Sequence, residues 1–205
     1  MKRNNLFFSG ALFAVLLAGA PAGAARLEAQ VIDQNGAPVA DAIVYALPLG
    51  GNVATRPKRE AAISQLNKEF VPLVTAVQTG TAIDFPNHDT FRHHVYSFSP
   101  AKTFEIKLYS GVPAQPVVFG APGEIILGCN IHDTMLAYIY VVDTPYFAKT
   151  GKLGKLQISA MPAGEYEVKL LHYGAANPVT PQKIKVEANT NLALKFLVGL
   201  KPQTR

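Results

Sequence analysis

With one cysteine, Cys129, in 205 residues, the chain can form no internal disulfide. Tryptophan is absent, and no long stretch holds apolar residues at the 3.6-residue spacing of an amphipathic helix, which removes the helical architectures. Charge of either sign is also scarce. Nineteen Lys and Arg face 14 Asp and Glu, a net +5, too mild for bulk attraction to nucleic acid or an anionic membrane. Long hydrophobic runs are missing except near the start, where Leu6 to Ala20 is apolar, too short and glycine-broken to span a bilayer comfortably.

That apolar run follows Met1-Lys2-Arg3 and precedes the small residues Ala22-Gly23-Ala24. A basic start, an apolar middle and a small-residue end read as a secretory signal peptide over residues 1–24, cleaved after about Ala24. The pair is Lys-Arg rather than Arg-Arg, which favours general export over the twin-arginine route, and no Cys lies near the cut to carry a lipid. Removal of residues 1–24 takes away Lys2 and Arg3 and leaves 17 basic against 14 acidic residues, a net +3. The expected location is the periplasm. An exposed free thiol is a liability in that oxidising compartment, so Cys129 should be buried, paired between chains or held by a metal.

Cys129 opens the segment Cys129-Asn130-Ile131-His132-Asp133-Thr134-Met135, and a histidine pair, His93-His94, lies upstream. One thiolate, two imidazoles and a thioether are the ligand set of a blue-copper site, a trigonal His, His, Cys plane with a weak axial Met. Soft sulfur suits Cu(I) and imidazole suits both oxidation states. Cys129, His132 and Met135, each separated from the next by two residues, can all turn inward from one tight loop, while the first imidazole arrives from another strand.

What is left of the chain is rich in short strand-like runs bounded by Gly, Pro, Asn or Asp, with alternation visible in Phe104-Glu105-Ile106-Lys107-Leu108 and Ile184-Lys185-Val186-Glu187. The reading is all-β and sandwich-like. Only Arg56 to Leu66 is polar and proline-poor enough to suggest a helix, and it reads equally as a loop.

Residues 67–143 resemble the cupredoxins, the family of plastocyanin, amicyanin and pseudoazurin. The resemblance lies in Gly80-Thr81 leading to Phe85 and Asn87, in a His at the start of the next strand, and in the strand Pro122-Gly123-Glu124-Ile125-Ile126-Leu127-Gly128-Cys129 feeding the Cys, His, Met loop. The wider sequence resembles cupredoxin-domain proteins labelled methylamine utilization proteins. The resemblance implies a Greek-key β-sandwich over residues 51–146, one mononuclear copper site, and His93, Cys129, His132 and Met135 as its ligands. Cys129 would be the thiolate, His132 the solvent-edge imidazole, Met135 the axial thioether and His93 the interior imidazole. Family members follow the first ligand with Asn-Val, and alignment on Val95 makes His93 the ligand and puts His94 at the Asn position. Neighbouring strand residues face opposite ways, so the two cannot share one metal from regular β structure. His94 is then a donor behind the ligands or a surface residue, His88 a solvated turn residue, and His172 an exposed one. Ile131 stands where relatives carry Pro and so keeps an N–H that could reach the Cys129 sulfur.

The flanks have another texture. Val31 to Tyr45, with its Asp33-Gln34-Asn35-Gly36 turn, and Met161-Pro162-Ala163-Gly164-Glu165-Tyr166 are similar to hairpins of carboxypeptidase regulatory-like domains. Residues 25–50 and 147–199 would form a small Ig-like sandwich with the copper region inserted in one connection, an arrangement chains tolerate at loop tips, and 200–205 a tail.

The resemblance implies a periplasmic carrier of single electrons between transient redox partners. Copper sequestration or delivery is the alternative, although no Met-rich or His-rich tract is present, and a structural periplasmic module is another. An enzyme is not expected. The four ligands fill one closed site, no further His motif supplies a catalytic copper, and no Ser, His, Asp spacing stands out.

Overall fold

The computed structural model describes residues 24–50 and 60–202. The expected signal peptide falls on 1–23 and Ala24, and so lies outside the described residues but for its last one. The described residues form strands and no helix. In chain order they are β1 (Ala25–Asp33), β2 (Ile43–Pro48), β3 (Glu60–Ala62), β4 (Ser64–Leu66), β5 (Glu69–Val71), β6 (Val74–Gln78), β7 (Thr81–Asp84), β8 (His93–Ser99) and β9 (Lys102–Tyr109). There follow β10 (Val117–Phe119), β11 (Gly123–Gly128), β12 (Leu136–Val142), β13 (Phe147–Lys149), β14 (Lys155–Met161), β15 (Gly164–Leu171), β16 (Gln182–Val186) and β17 (Asn191–Val198).

Residues 60–142 build one sandwich. A five-stranded sheet in the order β6-β12-β11-β8-β9 faces a smaller one in the order β10-β7-β3, and the β4–β5 hairpin closes one end. Their shared core runs from Ile63 and Phe70 through Ile83, Phe85 and Val95 to Leu127 and Ile139. Side chains alternate along a strand, so the inward rows can be read directly. Val95 and Ser97 on β8, Ile125 and Leu127 on β11, and Ala137, Ile139 and Val141 on β12 are all buried. Continued by one step, these rows reach His93, Cys129 and Met135. The register Gly128↔Leu136 leaves Cys129 and Met135 as the next facing positions at the same sheet end.

The helix suggested for Arg56 to Leu66 does not form over its described part. Residues 60–62 and 64–66 are short strands, β3 pairing in parallel with β7 and β4 antiparallel with β5. Ile63 and Gln65 are buried, and pairing with existing sheet edges outweighs the local preference of a polar run. Phe70 to Gln78, continuous in apolar pattern, is broken into β5 and β6 at Pro72 and Leu73.

The flanking segments build a second sandwich from β14-β1-β17 and β13-β2-β15-β16, around Leu27, Val31, Val44, Ile158, Val168 and Phe196. Here β1 lies parallel to β17 along its whole length, from Arg26↔Asn191 to Asp33↔Val198. Tyr146 packs in this second core, and its carbonyl accepts from Ala46 N. Leu200 and Lys201, placed in the tail by the sequence, are also tied in, their N–H groups donating to Gln34 Oε1 and Gly174 O.

The two sandwiches touch. Ile43 of one packs with Val74 and Tyr140 of the other, flanked by Tyr138, Leu171 and Tyr173. The Tyr138 and Tyr173 rings stack at 4.6 Å, and Lys149 Nζ bridges to Val74 O at 2.8 Å and Asp41 Oδ1 at 2.9 Å. Beside this contact lies a cleft of about 740 Å³ lined by residues of both sandwiches, among them Tyr45, Glu124, Tyr140 and His172. His172 is therefore half-buried and stacked on Tyr173 at 4.5 Å, not exposed as its sequence context suggests.

Candidate metal centre

His93, Cys129 and His132 each direct one ligand atom to a common point, all three atoms lying within 4.8 Å of one another. His93 is fully buried, Cys129 is 3% exposed and Met135 1%, while His132 is only partly buried. Met135 shares the apolar cluster that holds Cys129. The loop is closed on itself by Met135 N donating to His132 O at 3.0 Å, so the second imidazole and the thioether come from one tight turn.

The candidate donor atoms of His93, Cys129 and His132 have few competing partners among the described residues. His93 Nε2 lies 2.7 Å from Asp89 Oδ2. An ionised carboxylate only accepts, so Nε2 carries the proton and Nδ1 keeps its lone pair toward the sulfur. His132 Nδ1 is buried and has no hydrogen-bond partner among the described residues, a costly arrangement unless something else satisfies it. Cys129 Sγ has a single partner in hydrogen-bond range there, His93 Nδ1 at 3.7 Å. A cation bonded at about 2.3 Å to sulfur and about 2.05 Å to nitrogen would see that separation at roughly 116°, close to a trigonal plane.

Asp89 was not legible as a site residue, and it organises much of this end. It accepts from the backbone N–H of Asn67 at 2.7 Å and of Lys68 at 3.0 Å, besides His93. Burial pushes its carboxyl up, but the donors of Lys68, His93 and Asn67 together outweigh it and hold the group below its usual range. Both donors sit at the tip of the β4–β5 hairpin, where Asn67 and Lys68 have φ of 56° and 62°, a turn that points successive N–H groups at one acceptor. Asn87 staples the same loop: its Nδ2 donates to Phe91 O at 2.9 Å and Tyr109 O at 3.1 Å, and its Oδ1 accepts from Asp89 N. Tyr109 is held neutral, burial raising its hydroxyl to about 12, and it donates to Phe85 O at 2.6 Å.

The outer rim is aromatic. The Phe91 ring lies 4.9 Å from His93 and 5.5 Å from His132, centroid to centroid, with Lys68 Nζ 5.8 Å above it. Ile131 is 47% exposed, and its N–H makes no hydrogen bond to the Cys129 sulfur. The N–H that Ile131 keeps in place of a proline is therefore not spent on the sulfur. His88 is exposed, as expected of a turn. His94 points to the opposite sheet face from His93, where its Nε2 lies 2.9 Å from Glu105 Oε1.

No protein-family model matches the sequence, and no curated protein matches it. Solved structures do match. The likenesses include cupredoxins. The copper-containing nitrite reductase from Thermus scotoductus SA-01 is 21% identical over 47% of this chain and 25% of its own, with a TM-score of 0.39; the chain thus spans about a quarter of that protein's length. The purple cupredoxin from Nitrosopumilus maritimus is 19% identical over 40% of this chain and 99% of its own, with a TM-score of 0.36. The reduced Cu(I) form of an amicyanin mutant at pH 4 is 12% identical over 48% and 99%, with a TM-score of 0.37.

Proposed function

We propose that the chain is a periplasmic blue-copper protein that carries single electrons, with His93, Cys129, His132 and Met135 as ligands of one copper ion. The observation that carries this reading is the convergence of two imidazoles and the cysteine sulfur within 4.8 Å, in one cluster with a buried methionine, with His132 Nδ1 lacking a hydrogen-bond partner among the described residues. The donor set fits copper better than a hard cation, since two of its four donors are sulfur.

Copper supplies a one-electron couple when bound, and the chain's own residues restrict everything else. Asp89 fixes the His93 tautomer and ring plane. The β8, β11 and β12 rows hold three donors on rigid strand ends, which favours one geometry for both oxidation states. Phe91 and the core exclude water from the sulfur. The partly exposed His132 edge, rimmed by Phe91 and Ile131, is where transient redox partners would exchange electrons. No open ligand position is left for a substrate, which argues against an enzyme. Export by residues 1–24 and a regulatory-like module over 25–50 and 147–199 complete the proposal, the latter supported by the separate core around Leu27, Val44 and Phe196.

Addition of Cu(II) should give an intense thiolate-to-copper charge-transfer band and about one bound blue copper per chain. Cys129→Ser and His93→Ala should abolish the colour, while His94→Ala should keep it. A colourless Cu(II) complex of the wild type overturns the reading, and loss of colour in His94→Ala but not His93→Ala would transfer the interior ligand to His94.

A further inference from the structure

The outer face of the five-stranded sheet carries a second arrangement of donor atoms that the first centre does not use. His94 is buried, its side chain 8% exposed, yet its Nε2 has no aligned hydrogen-bond partner among the described residues. The nearest acceptor, Glu105 Oε1, is 2.9 Å away but off the direction of the ring N–H. An ordinary imidazole–carboxylate ion pair would align with that oxygen, as His93 does with Asp89. The β8–β9 register shifts between His93 and Val95, at His94 itself. Both groups open into a pocket of about 350 Å³ whose polar lining also includes Thr103 and Asn130, with Tyr96 and Phe98 as its apolar wall.

We propose that His94 and Glu105 are the protein ligands of a second cation site, taking a divalent metal of tetragonal preference, Cu(II) above all. The separation of the two donor atoms sets the geometry. Metal–nitrogen and metal–oxygen bonds of about 2.05 Å meet at roughly 90° across 2.9 Å, whereas a tetrahedral ion would need them roughly 3.3 Å apart. Right-angled imidazole and carboxylate donors are the square-planar or tetragonal set of Cu(II) and Ni(II), and lack the thiolate that a soft or tetrahedral ion selects. Glu105 is 53% exposed on its side chain, so the pocket is open to solvent, and water fills the remaining positions. Because His93 and His94 are consecutive and face opposite ways, one peptide link separates the two centres while their ligand sets share no residue.

The site is tested on the full-length protein by titration with Cu(II) in the presence of a weak competing chelator, read by electron paramagnetic resonance. A second equivalent with a tetragonal signal and no strong visible colour is expected after the blue equivalent. His94→Gln and Glu105→Gln should each weaken that second equivalent at least tenfold, with the blue band intact as evidence of folding. A wild type that binds only the blue copper overturns the proposal, as does a tetragonal copper that survives both substitutions, which would be adventitious copper at another histidine. The result is independent of the blue-copper reading. A tetragonal signal lost in His94→Gln without any blue band would sink that reading and leave this one standing.

Discussion

Asp89 shows how one side chain sets the character of a centre it does not touch. Its three donors, His93 Nε2 and the N–H groups of Asn67 and Lys68, lie at 2.7–3.0 Å, so its position is fixed independently of any metal. A carboxylate on the far nitrogen makes an imidazole a stronger donor and locks its tautomer, and loss of such a partner typically costs roughly 10–100-fold in metal affinity. Asp89→Asn keeps a hydrogen-bond acceptor for His93 but removes the charge. The blue band should therefore persist, copper affinity should fall by about one to two orders of magnitude, and the reduction potential should rise, because a weaker donor stabilises Cu(II) less. Redox titration and chelator competition check both; unchanged values would mean that Asp89 only caps the hairpin. His93, Cys129, His132 and Met135 stood out as candidate ligands because their residue types and spacing are unusual. Asp89 was not, because an Asp in an Asn-His-Asp-Thr turn has a generic meaning until the loop is folded back by Asn87.

At the scale of the strand, the same site depends on a glycine. Gly128 on β11 faces Tyr96 on β8, and a Cβ built there would stand 2.6 Å from the tyrosine ring. The ring lies close to the backbone of Gly128, next to Cys129, and continues a row of aromatic contacts, His94 to Tyr96 at 5.5 Å and Tyr96 to Phe98 at 5.1 Å. Gly128→Ala must push either the ring or the β8–β11 contact apart. Overpacking of this kind costs about 1–3 kcal/mol, so the variant should unfold at lower denaturant concentration with its blue band shifted or broadened. Tyr96→Ala in the same background should recover part of the loss, and no loss in Gly128→Ala would show that the ring moves freely. Element types were readable where apolar residues alternate, as on β9, or run unbroken, as in Leu136 to Val142, the mark of a strand covered on both faces. Three-residue strands such as β3 and β4 carry no measurable period, and only their pairing partners make them strands.

On the scale of the whole molecule, the second sandwich covers that outer face of β12, and the join contains a titratable group. His172 lies in the cleft between the sandwiches, stacked on Tyr173, which stacks in turn on Tyr138. Burial pushes its imidazole below the usual histidine range, against smaller opposing effects of the Ala40 backbone and the Asp41 carboxylate. The folded protein therefore binds this proton less readily than the unfolded chain does. Above the unfolded value of about 6.5 the ring is neutral in both states and its contribution to stability is complete. As pH falls, the unfolded chain takes up the proton first, so stability declines through the interval below 6.5 and levels off once the folded ring is also protonated. Asp41, held to Lys149 at 2.9 Å, is the acidic group facing the ring and limits the size of the effect. His172→Gln keeps a polar side chain of similar reach and removes the proton site. Unfolding free energies of the two proteins, measured from pH 8 to 5, should converge at the acidic end, with the wild type losing more stability over that interval than the variant. Parallel pH profiles would show that the cleft admits enough water to leave His172 at its ordinary value.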